Sequence, residues 1–131
     1  MIFNNQLVTS NVIGSCYVGG NVLFHRDVLY SPILNYVKKI DLSSNSSSVL
    51  PLQTHNQIRS LTISPNGIVL IAIDMAGYAV IFNLKGNFVV GEFNFKGSVN
   101  CAEYSDDGKL FAIAQNHGFY VYEAPPFWRT F

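Results

Sequence analysis

Charge is what this sequence has least of. Only 12% of its 131 residues are Asp, Glu, Lys or Arg, about half the usual share. Eight basic and eight acidic side chains cancel to a net charge of zero, which leaves no electrostatic footprint for nucleic acid or anionic lipid. Any RNA contact has then to be local or made through other proteins. Cysteine is scarce too. Cys16 and Cys101 stand far apart with no CxxC pair and no ligand cluster, which favours a reducing compartment and two packed thiols over a disulfide. The opening stretch MIFNNQLV has neither the basic region nor the long apolar core of a targeting signal. The longest apolar run, Ile68–Ile73, is far too short to span a bilayer, so no membrane association is expected. Helix is supported nowhere, because no segment of useful length carries apolar residues at three- and four-residue spacing.

What the chain does have is apolar residues, at 49%, enough for one modest domain with a real core. The most regular stretch is Ile58 to Leu84, IRSLTISPNGIVLIAIDMAGYAVIFNL. Three short runs rich in Ile, Val, Leu and aromatics read as strands. They are separated by Ser64–Gly67 (SPNG) and Asp74–Gly77 (DMAG), where Pro65 presets a turn dihedral and Gly67 takes a positive φ at no steric cost. Val99 to Ala124, VNCAEYSDDGKLFAIAQNHGFYVYEA, repeats that order, and Gly67 and Gly108 lie 41 residues apart. A worn copy precedes both: VLFHRD (22–27), VLYSPIL (28–34) and YVKKIDL (36–42). Ile40-Asp41 lies 42 residues before Phe82-Asn83, which lies 40 before Tyr122-Glu123.

Between the first two copies, the polar run Ser43–Ser48 reads as a loop tip, a solvated stretch open to phosphorylation. Val49–Leu52 is expected to begin a short outer strand. FVVGEFNF, Phe88–Phe95, is a fourth strand with Val89, Gly91, Phe93 and Phe95 alternating against Phe88, Val90, Glu92 and Asn94. After the third copy Pro125-Pro126 breaks the chain, and FWRTF begins an outer strand that stops unfinished. Four short strands per 40 to 42 residues is the arithmetic of a β-propeller blade. The expectation is an all-β propeller fragment of about three four-stranded blades. A ring needs at least four blades, so this one is not closed. Residues 1–21 form an amino-terminal segment able to supply a strand of a closing blade, with blades at 22–52, 53–95 and 96–131.

Period and turn chemistry together resemble the WD-repeat family. There the third strand of a blade ends in Trp-Asp, and a Gly-His pair precedes the first strand. The corresponding positions here are Ile40-Asp41, Phe82-Asn83 and Tyr122-Glu123, and only His55 stands near a Gly-His site, without its glycine. On that comparison the buried His, Ser and Asp network that stiffens a blade is expected in none of the three copies. Within the family, the chain from Val12 onward is similar to the amino-terminal region of a WD-repeat protein of ribosome biogenesis. The likeness rests on YVGGN (17–21), on Ser31-Pro32 ahead of YVKKIDL, on VLPL (49–52) and on LTISPNG (61–67). It continues through FNFKGSV (93–99), YSDDGKLFAI (104–113) and Ala124-Pro125. That resemblance implies a nucleolar scaffold with tandem propellers and a helical tail in the small-subunit processome, which assembles on pre-ribosomal RNA with a small nucleolar ribonucleoprotein. The implied partners are other WD-repeat proteins of that assembly, with the ribonucleoprotein and pre-rRNA contacted indirectly. It names no binding residues.

Other constellations carry little chemistry. Asp106-Asp107 has the residue types of an acid/base pair, but its place in SDDG, aligned with SPNG, makes both turn residues. His25, His55 and His117 fall in different copies without ligand spacing, so no metal is expected. Ser15-Cys16 lacks a nucleophile elbow, and a packed cysteine is the better reading. Gly19-Gly20 is a turn, since no GK[ST] and no helix follow. Lys38 and Lys39 alternate faces, so with Arg26 they make at most a small basic patch on solvated strands. Phe119, Tyr120 and Tyr122 have the chemistry to stack on bases but suit blade-to-blade packing. Trp128 is expected to be exposed in this chain. No catalytic, cofactor or metal site is expected, and no enzyme. The function expected is scaffolding for protein–protein interaction in small-subunit assembly and pre-rRNA processing. Its rivals are a generic WD-repeat adaptor of the coat or ubiquitin-ligase kind and a direct RNA-binding module. Open blade edges predict self-association.

Overall fold

The computed structural model describes residues 19–124, and every regular element in that range is a strand. The strands are β1 (Leu23–His25), β2 (Val28–Ile33), β3 (Tyr36–Asp41), β4 (Ser46–Val49), β5 (Ile58–Ile63), β6 (Val69–Asp74), β7 (Tyr78–Asn83), β8 (Phe88–Asn94), β9 (Val99–Tyr104), β10 (Leu110–Gln115) and β11 (Gly118–Glu123). They form three antiparallel meanders: β1-β2-β3-β4, β5-β6-β7-β8 and β9-β10-β11. The three sheets do not close into a ring. The FWRTF stretch assigned to a further outer strand lies outside the described residues, as do residues 1–18.

Sequence alternation dictates how the sheets stack. On β6 and β7, Leu70, Ala72, Val80 and Phe82 point to one side, while Ile71, Ile73, Ala79 and Ile81 point to the other. Both sides are apolar, as a strand covered on both faces requires. The first set meets Tyr30, Val37, Leu50 and Leu52 of the first sheet and its exit segment. The second meets Phe95 of the link to the third sheet and Val99, Tyr104, Phe111 and Ile113 of that sheet. Each fully buried Leu, Ile or Val contributes about 1.5–3 kcal/mol, so these two shared cores dominate the association of the sheets.

The chain ends of each sheet sort into two groups. At one end, the segments linking one sheet to the next lie against the second hairpin turn of a sheet. Thr54 N–H donates to the Asn35 carbonyl at 2.9 Å, Met75 N–H to Gln57 at 2.9 Å and Phe95 N–H to Gly77 at 2.9 Å. At the opposite end, Leu84 N–H donates to Ile68 at 2.7 Å and Ala124 N–H to Lys109 at 2.9 Å.

Three expectations need correction. The outer strand of the first sheet is Ser46–Val49, so the second half of the serine run is strand and the turn is confined to the residues before it. Leu50 and Leu52 are core plugs: the apolar residues go to the inter-sheet core, and an edge strand tolerates polar side chains in their place. The alternation on β8 breaks at Val90, because Ile81 pairs with Gly91 and Phe82 with Val89. That bulge leaves Phe88, Val89 and Val90 all exposed. Finally, Cys101 is an exposed free thiol and not a core one.

Candidate interaction site

The innermost strands β5 and β9 start alike. Ile58 and Val99 are buried anchors, 1% and 0% exposed. After each comes a residue with no ladder partner, because Ile58 pairs with Asp74 and Ser60 with Ile73, while Val99 pairs with Gln115 and Cys101 with Ala114. Arg59 and Asn100 are therefore bulge residues, and a bulge re-aims its side chain away from the ladder. Arg59 Nη2 donates to Asn100 Oδ1 at 3.2 Å, and Asn100 Nδ2 donates to Asn116 Oδ1 at 2.9 Å in the β10–β11 turn. One repeat earlier, the Asn21 side chain pairs with Leu61 of β5 as a strand would, accepting from its N–H at 2.8 Å and donating to its carbonyl at 3.0 Å. Asn21, Ile58, Arg59, Leu61 and Asn100 border a cleft of about 610 Å³ whose lining also includes Gly20, Gln57, Met75 and Cys101.

Beside the cleft a buried carboxylate fastens the second sheet. Asp74 is fully buried. Its Oδ1 accepts the N–H groups of Ala76 (2.9 Å) and Tyr78 (3.0 Å), and its Oδ2 accepts Asn56 N–H (3.0 Å) and Asn56 Nδ2 (3.3 Å). So one stiffening network does form, with Asn56 as the partner of Asp74. Nothing in the Gly-His and Trp-Asp positions signals it; the Asp of DMAG, read only as a turn residue, is the one available cue. Gln115 holds the matching place one repeat on, donating to the Phe95 and Gly97 carbonyls at 3.2 and 3.1 Å.

The residues singled out from the sequence do not converge. Asp107 closes its own turn: Oδ1 accepts Ser105 Oγ at 2.6 Å and Lys109 N–H at 3.0 Å. Those bonds, the Ser105 hydroxyl foremost, hold its carboxyl below the ordinary 3.8. Ser64 and Asn66 repeat the motif at 2.6 Å. Asp41, in a former Trp-Asp position, caps the next turn through the Ser43 hydroxyl at 2.6 Å, which likewise lowers its pKa, and Asn83 Oδ1 does the same for Gly86 N–H at 2.8 Å.

The three histidines stand apart, His25 at the end of β1, His55 in the link between the first two sheets and His117 in the β10–β11 turn. His25 packs on Gly67, His55 lies 3.6 Å from Glu92 in an exposed pair, and His117 is in an exposed turn. Among the described residues no group of three His, Cys, Asp or Glu could hold a metal ion. Lys38 lies opposite Ser31, and Lys39 opposite Tyr30, while Arg26 is in the β1–β2 turn. Tyr122 fills the inter-sheet space against Phe93 and Phe95, with ring centroids at 5.9 and 5.6 Å. Phe119 is 84% exposed and Tyr120 38%. Gly19-Gly20 forms a bend against β5. Ser15, Cys16 and Trp128 lie outside the described residues.

No family model matches the chain. Among solved structures it is similar to the β-propeller domain of Cps50 (Swd1) from Myceliophteria thermophila. The TM-score is 0.75 at 23% identity, over 94% of this chain and 41% of that one. A chain of the mitotic checkpoint complex superposes with a TM-score of 0.68 at 15% identity, over 79% of this chain and 33% of that one. These likenesses establish the fold: three sheets of a β-propeller that do not close into a ring. Curated proteins match more closely. The mouse relative is 36% identical over 118 residues, 88% of this chain, and those of Dictyostelium discoideum and Saccharomyces cerevisiae are 36% and 34% identical over the same length. Its curated homologues are named periodic tryptophan protein 2. The chain spans 13% of the length of each of these three. Across that span the periodic tryptophan protein 2 likeness takes in all three sheets, and with the propeller fold it supports a WD-repeat scaffold.

Proposed function

We propose that this chain is part of a non-enzymatic WD-repeat scaffold that acts in the nucleolus, in small ribosomal subunit assembly and pre-rRNA processing. The observation that carries the reading is the match to periodic tryptophan protein 2 over 88% of the chain in mouse, slime mould and yeast. The partners proposed are other WD-repeat proteins of the small-subunit processome, with small nucleolar ribonucleoprotein and pre-rRNA reached through them. The mechanism is rigid display. Turns closed by Asp107, Asn66, Asp41 and Asn83 and a sheet fastened by Asp74 are ordered before a partner arrives, so association loses little conformational entropy on the scaffold side.

The test is a tagged pull-down of the full-length protein with identification of the co-purifying proteins and RNAs. Recovery of processome propeller proteins with small nucleolar and pre-ribosomal RNA is the expected result. Recovery of coat or ubiquitin-ligase subunits in their place would sink the ribosomal reading and leave the fold standing.

A further inference from the structure

Among the described residues, the cleft bordered by β5 and β9 is lined by one cation and by no Asp or Glu. That cation is Arg59, which is exposed and makes no ion pair among the described residues. Its guanidinium is not free to wander. The bulge in β5 aims it toward β9, Asn100 accepts from Nη2 at 3.2 Å, and Asn116 fixes the Asn100 amide at 2.9 Å. A guanidinium so placed has lost part of its rotamer freedom before any ligand binds and keeps most of its fork of donors for one. Asn100, held from behind by Asn116, adds an amide group to the lining, and Met75, Ala102 and Cys101 supply softer walls.

We infer that this cleft takes up a carboxylate from a protein partner, an Asp or Glu side chain, on Arg59. The chemistry favours that anion. A carboxylate carries a single charge in a plane that one guanidinium matches bidentately, whereas a phosphate of nucleic acid is bound by clusters of cations, and the lining offers no second Lys or Arg among the described residues. The inference rests on the protein-scaffold reading and assigns that scaffold a contact point on the end of the molecule formed by the β6–β7 turn and the links between sheets.

The test is a titration of the ¹⁵N-labelled chain with two capped tripeptides, Gly-Glu-Gly and Gly-Gln-Gly, following the Arg59 Nε–H and the Asn100 and Asn116 side-chain amides by NMR. The glutamate peptide is expected to shift all three saturably in the millimolar range, at least tenfold more tightly than the glutamine peptide, about the loss of one charge-assisted hydrogen bond. Arg59→Gln is expected to abolish the difference between the peptides and Asn100→Ala to shrink it. Equal responses to the two peptides would overturn the inference without any variant having to fold. Tighter binding of inorganic phosphate than of the glutamate peptide would overturn it too, in favour of a phosphate-bearing partner. None of these readouts depends on the assembly the parent protein joins, so failure here and failure of the ribosomal reading are separable.

Discussion

Gly77 and Gly97 meet so closely that a β-carbon on Gly77 would lie 2.0 Å from the Gly97 carbonyl oxygen. The turn between β6 and β7 is thereby locked under the link from the second sheet to the third. Gly77 also has φ +92°, a conformation that costs any L side chain. Gly77→Ala is expected to destabilise the chain by about 3 kcal/mol or more. Gly91→Ala, where a β-carbon would meet nothing within 4 Å, should stay within about 0.5 kcal/mol of the parent. Urea denaturation of the two variants checks the contrast, and equal losses would show that the contact is not tight.

Asp74 makes the second prediction. Removing its carboxylate takes the acceptor from three backbone N–H groups, those of Asn56, Ala76 and Tyr78, and from the Asn56 amide. Asp74→Ala is expected to cost about 3 kcal/mol, as losing hydrogen bonds to a buried carboxylate does. Asn56→Ala, which keeps the backbone donors, should cost about 1 kcal/mol. Thermal melts of the two variants order them, and the reverse order would refute the network's role.

Tyr104 is 8% exposed and its hydroxyl has no hydrogen-bond partner among the described residues. Burial raises its pKa above the ordinary 10.0. The neutral phenol is then favoured in the fold, so its contribution is complete below pH 10 and declines as pH climbs past that value, where the unfolded chain ionises first. Tyr104→Phe is expected to raise stability at neutral pH by about 1 kcal/mol, by relieving an unsatisfied buried group, and to move the alkaline unfolding midpoint upward. Equilibrium denaturation at pH 7 and pH 11 tests both signs.

The third sheet carries Leu110, Ala112, Ala114, Phe119 and Val121 on one face, as the β10–β11 register requires. Phe119 stands 84% exposed there. The chain is expected to self-associate through this face, and Phe119→Lys to shift it toward monomer with a stability change under about 0.5 kcal/mol. Sedimentation velocity of both proteins decides, and a monodisperse parent would count against the prediction.

How much of this could be read beforehand depends on the range of the interaction. The turns were legible because their chemistry is local: Ser105, Asp107 and Gly108 sit within four residues and do their work there. So were the faces of β6 and β7, since alternation and a 41-residue period are visible in one dimension. The exit strand of the first sheet was misplaced because VLPL is apolar enough for either a strand or a core plug, and only the packed sheets decide between them. Asp74 with Asn56, and Arg59 with Asn100, stayed hidden for another reason. Each pairing spans 18 or 41 residues, and the latter depends on two bulges that no pattern of apolar residues announces. The strand register that brings these partners together is a property of the folded sheets.

The two shared cores have a kinetic meaning as well. β6 and β7 contribute side chains to both of them, so neither strand can leave without breaking contacts to two neighbours, whereas β4 and β11 each lie at the edge of a sheet. Opening should therefore begin at the flanks and reach the centre last. The amides of Ile71, Ile73, Val80 and Ile81 are expected to exchange with deuterium only through global unfolding, while those of β4 and β11 exchange through smaller excursions. Uniform protection across the eleven strands would mean that the fragment opens as a single unit, and that the middle sheet is no more a keystone than its neighbours.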